Sequence, residues 1–192
     1  KEHPSPRWTV DLSSRNMVNV RVTDVGRRES FKFLLRSDAH HDNPKCDQEM
    51  EQRHLDIAMR EGAGIIDAGD LFCAMQGKFD KRADKSAVRP EHQHGDYLDK
   101  LVSTAADFYA PYASNWIVMG LGNHETAIRK RCETDLTERL VQAIKTIKPN
   151  TPLTAGGYGG WVRIHLSRLG GGNRHSILLH YFHGTGGGGP MT

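Results

Sequence analysis

Trp116-Ile117-Val118-Met119-Gly120-Leu121-Gly122-Asn123-His124-Glu125 is the stretch that decides how this chain is read. An apolar run long enough for a buried strand ends in an amide oxygen, an imidazole and a carboxylate. Two upstream runs end in the same kind of chemistry. Phe31-Lys32-Phe33-Leu34-Leu35 leads into Ser37-Asp38-Ala39-His40, and Ile65-Ile66-Asp67-Ala68 leads into Gly69-Asp70. Strand tips carrying Asp/His, Asp and Asn/His predict one polynuclear metal site assembled from distant parts of the chain.

The segments between these tips supply the rest of an α/β fold. Residues 17–23 alternate apolar and polar, as a half-exposed strand does. A helix is predicted from Asp47 to about 61, with Met50, Leu55, Ala58 and Met59 on one face and Gly62 ending it. A second helix runs over 96–110, with Leu98, Leu101, Val102, Ala105 and Phe108 at helical spacing and Pro111 stopping it. Asp135 with Glu138 reads as a capping box opening a third helix. Trp161 to Leu166 and Ile177 to Phe182, separated by a Gly-rich turn, form a hairpin. Strand-helix units followed by antiparallel strands predict a layered α/β fold with a mixed sheet. In such folds ligands collect at the carboxyl ends of strands, where the polar tips lie.

Bulk properties narrow the function. The 192 residues suffice for one domain spanning 1–192. A net charge of +3 with interspersed signs gives little support to a dedicated nucleic-acid surface. Eleven histidines are many for this length and favour site chemistry. Three cysteines, Cys46, Cys73 and Cys132, have no metal-type spacing, and their odd number points to a reducing compartment. Cys73 reads as a small buried residue. No apolar run approaches the ~20 residues that span a bilayer, and no signal-peptide pattern opens the chain, so a cytoplasmic protein without membrane contact is expected.

At the tips, Asp38 and His40 are two apart, and an extended strand end points both to one side. Gly69 removes a side chain where backbone must pass close to Asp70. Asp70 has two oxygens, enough to bridge two cations, and Asn123 adds a neutral oxygen. An oxygen and nitrogen set without thiolate favours Mn²⁺, Fe or Zn²⁺ in a catalytic role. The 74–95 stretch, polar and rich in Gly and Pro, is a long insertion of the kind that serves as a lid or binding loop.

Asp38-Ala39-His40, Gly69-Asp70 and Gly122-Asn123-His124-Glu125 resemble the first three motifs of the calcineurin-like metallophosphoesterases. Ile177-Leu178-Leu179-His180-Tyr181-Phe182-His183-Gly184 is similar to the fourth, with His183 at the strand end as the ligand and His180 in reserve. His183-Gly184-Thr185-Gly186-Gly187 and the 74–95 insertion look most like phage-type members. The resemblance spans residues 31 to 184. It implies a four-layer α/β/β/α sandwich with mixed sheets and a centre of two divalent metals, Mn foremost. Asp38, His40 and Asp70 would hold one metal, and Asp70, Asn123 and His183 the other.

The implied reaction is hydrolysis of a phosphomonoester or phosphodiester by a hydroxide bridging the metals, with His124 stabilising charge or protonating the leaving group. Lys78, Arg82 or Arg89 would clamp the phosphate. The family's fifth motif, Gly-His-x-His, does not occur in these residues and is expected beyond Thr192. Without it each metal lacks one histidine, and an impaired chain is expected. Two alternatives stand beside this reading: a DNA nuclease of the same family, and a protein-binding scaffold that keeps the fold without catalysis. His41, His92 and His94 are read as surface or loop residues. Gly186 to Gly189 lacks the Lys-Ser/Thr of a P-loop.

Overall fold

The structure is a computed structural model describing residues 8–26, 29–74, 88–168 and 174–185. The first sheet is built from β3 (Phe33–Arg36), β4 (Gly64–Asp67), β5 (Trp116–Met119) and β6 (Thr154–Ala155), in that order. Every neighbouring pair in it is parallel. Parallel neighbours need a crossover, which is supplied by α1 (Gln48–Arg60), α2 (Tyr97–Tyr109), and α3 (Asn123–Cys132) with α4 (Leu136–Ile147).

The second sheet runs β1 (Trp8–Ser14), β2 (Met17–Val25), β7 (Gly159–Arg168), β8 (Arg174–Phe182). It is mixed: β1 and β8 are antiparallel to their neighbours, while β2 pairs with β7 in parallel. The expectation of mixed sheets therefore holds for this sheet alone.

Two cores separate three layers. Helix residues Leu55, Leu101, Ala105, Leu140 and Ile144 pack with Ile65, Trp116 and Met119 on one face of the parallel sheet. Ile66, Ile117 and Val118 on its other face pack against Val18, Val20, Val22, Val162 and Ile164 of the second sheet. Each fully buried side chain of this kind contributes about 1.5–3 kcal/mol. Strands buried on both faces read as continuous apolar runs, whereas β2 alternates as residues 17–23 predict. The second helical layer of the expected four-layer sandwich has no counterpart among the described residues.

Most predicted elements form within a residue or two of their expected ends. The α4 cap is half of the predicted box: the Asp135 carboxylate accepts from Glu138 N at 3.0 Å. Helix α1 departs in one instructive respect. Met50 is exposed, and the buried stripe is Glu51, Leu55 and Ala58. Its first position holds a charge because Glu51 enters a buried ionic network. Arg36 lies 2.5 Å from Glu51 and 2.8 Å from Asp67. Its guanidinium also sits over the rings of Tyr109 and Trp116, at 5.6 and 5.5 Å. His41 Nδ1 is 2.8 Å from Glu51, and Tyr109 donates its hydroxyl to the same carboxylate.

His41 lies in a loop as read but is buried, which corrects the surface half of that reading, because Glu51 gives its ring a partner in the interior. His92 is buried as well, 2.8 Å from Thr104 Oγ1, while His94 is exposed as expected. No helix among the described residues is long and apolar enough to cross a membrane.

Candidate metal centre

The carboxyl ends of β3, β4 and β5 lie side by side, and backbone hydrogen bonds lace their exits together. Asp38 N donates to Gly69 O at 2.9 Å, His40 N to Asp70 O at 3.0 Å and His41 N to Leu71 O at 2.8 Å. Gly120 N reaches Asp67 O, Leu121 N reaches Gly157 O, and His183 N reaches Tyr158 O. The last two bonds bring the end of β8 onto the same face. Residues from 38 to 183 thereby meet at one spot.

Two glycines make this approach possible. Gly69 has φ +113°, and a Cβ there would lie 2.4 Å from Gly122 N. A Cβ on Gly122 would lie 1.9 Å from Asp70 Oδ1. Under both tips lies Glu125, fully buried, whose carboxylate accepts from Asp70 N (3.2 Å), Phe72 N (2.8 Å) and Gly122 N (2.9 Å). Burial pushes its pKa up; the Phe72 and Gly122 N–H groups oppose that shift, and the nearby Asp70 charge adds to it. Sequence reasoning gives Glu125 no role, yet it fastens the exit of β4 to the start of α3.

Asp38, Asp70 and His183 each direct one ligand atom to a common spot, the three atoms lying within 4.8 Å of one another. His183 Nε2 is 3.3 Å from Asp70 Oδ2 and 3.1 Å from Asn123 Oδ1. Of the two candidate histidines, His183 lies with this set, whereas His180 is exposed and its ring packs on Trp161. The Asn123 amide has two usable orientations. With oxygen inward it joins Asp70 and His183 as a set of electron-pair donors. Turned over, its nitrogen donates to Asp70 Oδ2 at 3.3 Å and to His183 Nε2 at 3.1 Å. The first orientation suits a bound cation and the second suits its absence.

Asp38 and His40 do not point together as an extended strand end would have them. Both lie in the left-handed region, with φ of 56° and 44°, and Asp70 joins them at 55°. Such a backbone is costly for residues with a Cβ and gathers at functional sites. The turn sends Asp38 toward Asp70 and His183, while the His40 ring falls with Cys73 and His124. Cys73 is half-buried, not fully buried as its sequence context suggests.

His124 opens α3, where N–H groups lack helical partners. Its N donates to Asp70 Oδ1 at 2.9 Å, and its Nδ1 lies 2.5 Å from Cys73 O. That carbonyl only accepts, so the Nδ1 proton is fixed and Nε2, 3.7 Å from Asp70 Oδ2, faces the site.

The donor set fits divalent cations. Asp38 and Asp70 have no Lys or Arg ion-pair partner among the described residues, and the Nδ1 atoms of His40 and His183 are buried without a hydrogen bond there. Buried donors and acceptors ordinarily find partners, so this excess of lone pairs is what a cation would satisfy. No protein-family model matches this chain, and no solved structure matches it significantly. Of the residues expected to clamp phosphate, Lys78 and Arg82 lie outside the described residues, as does most of the 74–95 insertion. Arg89 donates to Asn43 O at 3.0 Å, which tethers it to the loop after His40.

Proposed function

We propose that this chain is a phosphoesterase of the calcineurin-like type, with the four-layer sandwich of that family as its complete architecture. The observation that carries the reading is the meeting of Asp38, Asp70, Asn123 and His183 at adjoining strand tips, rich in lone pairs and without a Lys or Arg ion pair among the described residues. Hard oxygen and imidazole donors of this kind suit two divalent cations, Mn²⁺ before Fe or Zn²⁺. When bound, such a pair polarises a phosphoryl group and activates a water at neutral pH.

The chain's own residues divide the remaining work. Asp38 and His183 would each hold one cation, with Asp70 shared between the two. Asn123 contributes its oxygen without adding charge to a site whose substrate is already anionic. Glu125, through the N–H groups of Asp70, Phe72 and Gly122, keeps the Asp70 and Asn123 segments in register. His124 faces the site through Nε2 while Nδ1 is held by Cys73 O, so any proton given to a leaving oxygen passes at Nε2. The first turn of α3 adds the positive end of a helix dipole on the side where a phosphate would sit.

The test is turnover of p-nitrophenyl phosphate and bis-p-nitrophenyl phosphate by the full-length protein with Mn²⁺. Activity on either ester is expected, reduced by about a hundredfold or more in His124→Ala. A folded, Mn²⁺-loaded protein that cleaves neither ester nor single- or double-stranded DNA would contradict the proposal. Cleavage of DNA alone would identify the nuclease variant of the same chemistry.

A further inference from the structure

His40, Cys73 and His124 form a group distinct from the oxygen-rich one, with one ligand atom from each within 4.8 Å of the others. No sequence spacing announces it, since Cys73 has no neighbouring cysteine or histidine. Three features suit it to a metal. His124 holds its Nδ1 proton against the Cys73 carbonyl, which leaves the Nε2 lone pair available, the arrangement by which ligating histidines are ordinarily oriented. His40 has a buried Nδ1 with no hydrogen bond among the described residues. The Asn43 amide donates toward Cys73 Sγ at 3.4 Å, which directs the sulfur's position. The His40 and His124 rings are already in contact, their centroids 4.8 Å apart. Side-chain rotations of about 1 Å would bring the three atoms to the ~2.1 Å Zn–N and ~2.3 Å Zn–S distances of a zinc site.

We propose that His40, Cys73 and His124 bind a soft divalent cation of the zinc or cadmium class, and that its capture withdraws His124 from phosphoester hydrolysis. Ligand softness separates the two sites. A thiolate with two imidazoles prefers Zn²⁺ or Cd²⁺ over Mn²⁺ by a wider margin than the Asp38, Asp70, Asn123 and His183 set does. Binding converts the Cys73 thiol to thiolate, and the proton leaves to solvent. Excess zinc then inhibits an enzyme that Mn²⁺ supports. The inhibition rests on the phosphoesterase reading; the binding does not.

Co²⁺ added to the reduced full chain is the probe. A sulfur-to-cobalt charge-transfer band in the near ultraviolet is expected. It should be lost in Cys73→Ser, and retained both in Asp38→Asn and in the Cys46→Ser/Cys132→Ser double variant. The double variant also decides the matter if Cys73→Ser does not fold, because Cys73 is then the remaining thiol. Absence of the band in the wild type or the double variant, its survival in Cys73→Ser, or its loss in Asp38→Asn would overturn the site. In turnover assays the Zn²⁺ concentration that halves Mn²⁺-supported activity should rise about tenfold or more in Cys73→Ser. An unchanged concentration would overturn the inhibitory role. A chain that shows the band but no hydrolysis with any metal would retain the site and lose the phosphoesterase reading.

Discussion

Asp67 and Asp70 lie three residues apart at the end of one strand and are both buried, yet their surroundings are opposites. Asp67 faces Arg36 at 2.8 Å and accepts from Gly69 N, within a network that also contains Glu51, His41 and Tyr109. Every charge there has a protein partner of opposite sign or a donor. Asp70 faces Asp38, Asn123 and two imidazoles, with no arginine or lysine paired to it among the described residues. One cluster is complete as folded. The other carries an excess of lone pairs that a cation would satisfy, and that difference sets a structural use of buried charge beside the proposed binding use.

The largest expected effect breaks the complete cluster. Glu51→Ala leaves His41 and the Tyr109 hydroxyl without their acceptor and Arg36 with Asp67 alone, and removing one partner of a buried pair costs about 3–5 kcal/mol. Urea denaturation should show the loss, and a change within error of zero would mean the network is not internally satisfied. The next follows from pH. Burial pushes the Glu51 carboxyl up, but the His41 hydrogen bond, the Arg36 charge and the Tyr109 hydroxyl outweigh it and hold the pKa at about 2 against an ordinary 4.5. A carboxyl depressed in the folded state stabilises fully above its ordinary value and loses that stabilisation as pH falls toward 2. About 3 kcal/mol should disappear over that window, and the pH dependence should be flatter in Glu51→Gln; equal slopes would contradict the assignment.

Gly122→Ala attacks the incomplete cluster, since the new methyl would meet Asp70 Oδ1 at 1.9 Å and Asp70 N at 2.3 Å. About 1–3 kcal/mol of stability should be lost, together with Mn²⁺ affinity in calorimetric titration. Wild-type affinity in that variant would show that the tight approach of the two tips is not needed for the site. Smallest is Asp135→Ala, which removes the α4 cap and the partly exposed Arg15 ion pair at 2.5 Å. It should cost about 1 kcal/mol in thermal unfolding and leave Mn²⁺ binding unchanged; reduced binding would mean the site depends on elements outside the strand tips.

How much of this was readable from sequence also divides between the two clusters. The strand tips were legible because apolar runs ending in Asp, His and Asn have a pattern, and Asp38, Asp70, Asn123 and His183 do converge. Helices α1, α2 and α4 were legible from their apolar spacing. Strand Trp8–Ser14 was not assigned, having a short run whose later residues are exposed. Helix α3 was not bounded, since NHETAIRKRC buries only Glu125 and so carries no apolar stripe. Glu51 was not singled out, although its position four before Leu55 and seven before Ala58 placed it on the buried stripe. The left-handed backbone at Asp38 and His40, which parts the two side chains, leaves no trace in residue identity. Nor does Cys73, whose partners His40 and His124 are set by folding alone.

The central claim is that Asp70 anchors a cation site shared by the strand tips, and Mn²⁺ titration of the wild type and Asp70→Asn by calorimetry, with metal content after dialysis, tests it most directly. Asparagine preserves the shape and the acceptor for His124 N while removing the charge. Mn²⁺ should bind to the wild-type chain, and all bound Mn²⁺ should be lost in Asp70→Asn. Retention of Mn²⁺ at wild-type stoichiometry and affinity in that variant would contradict it.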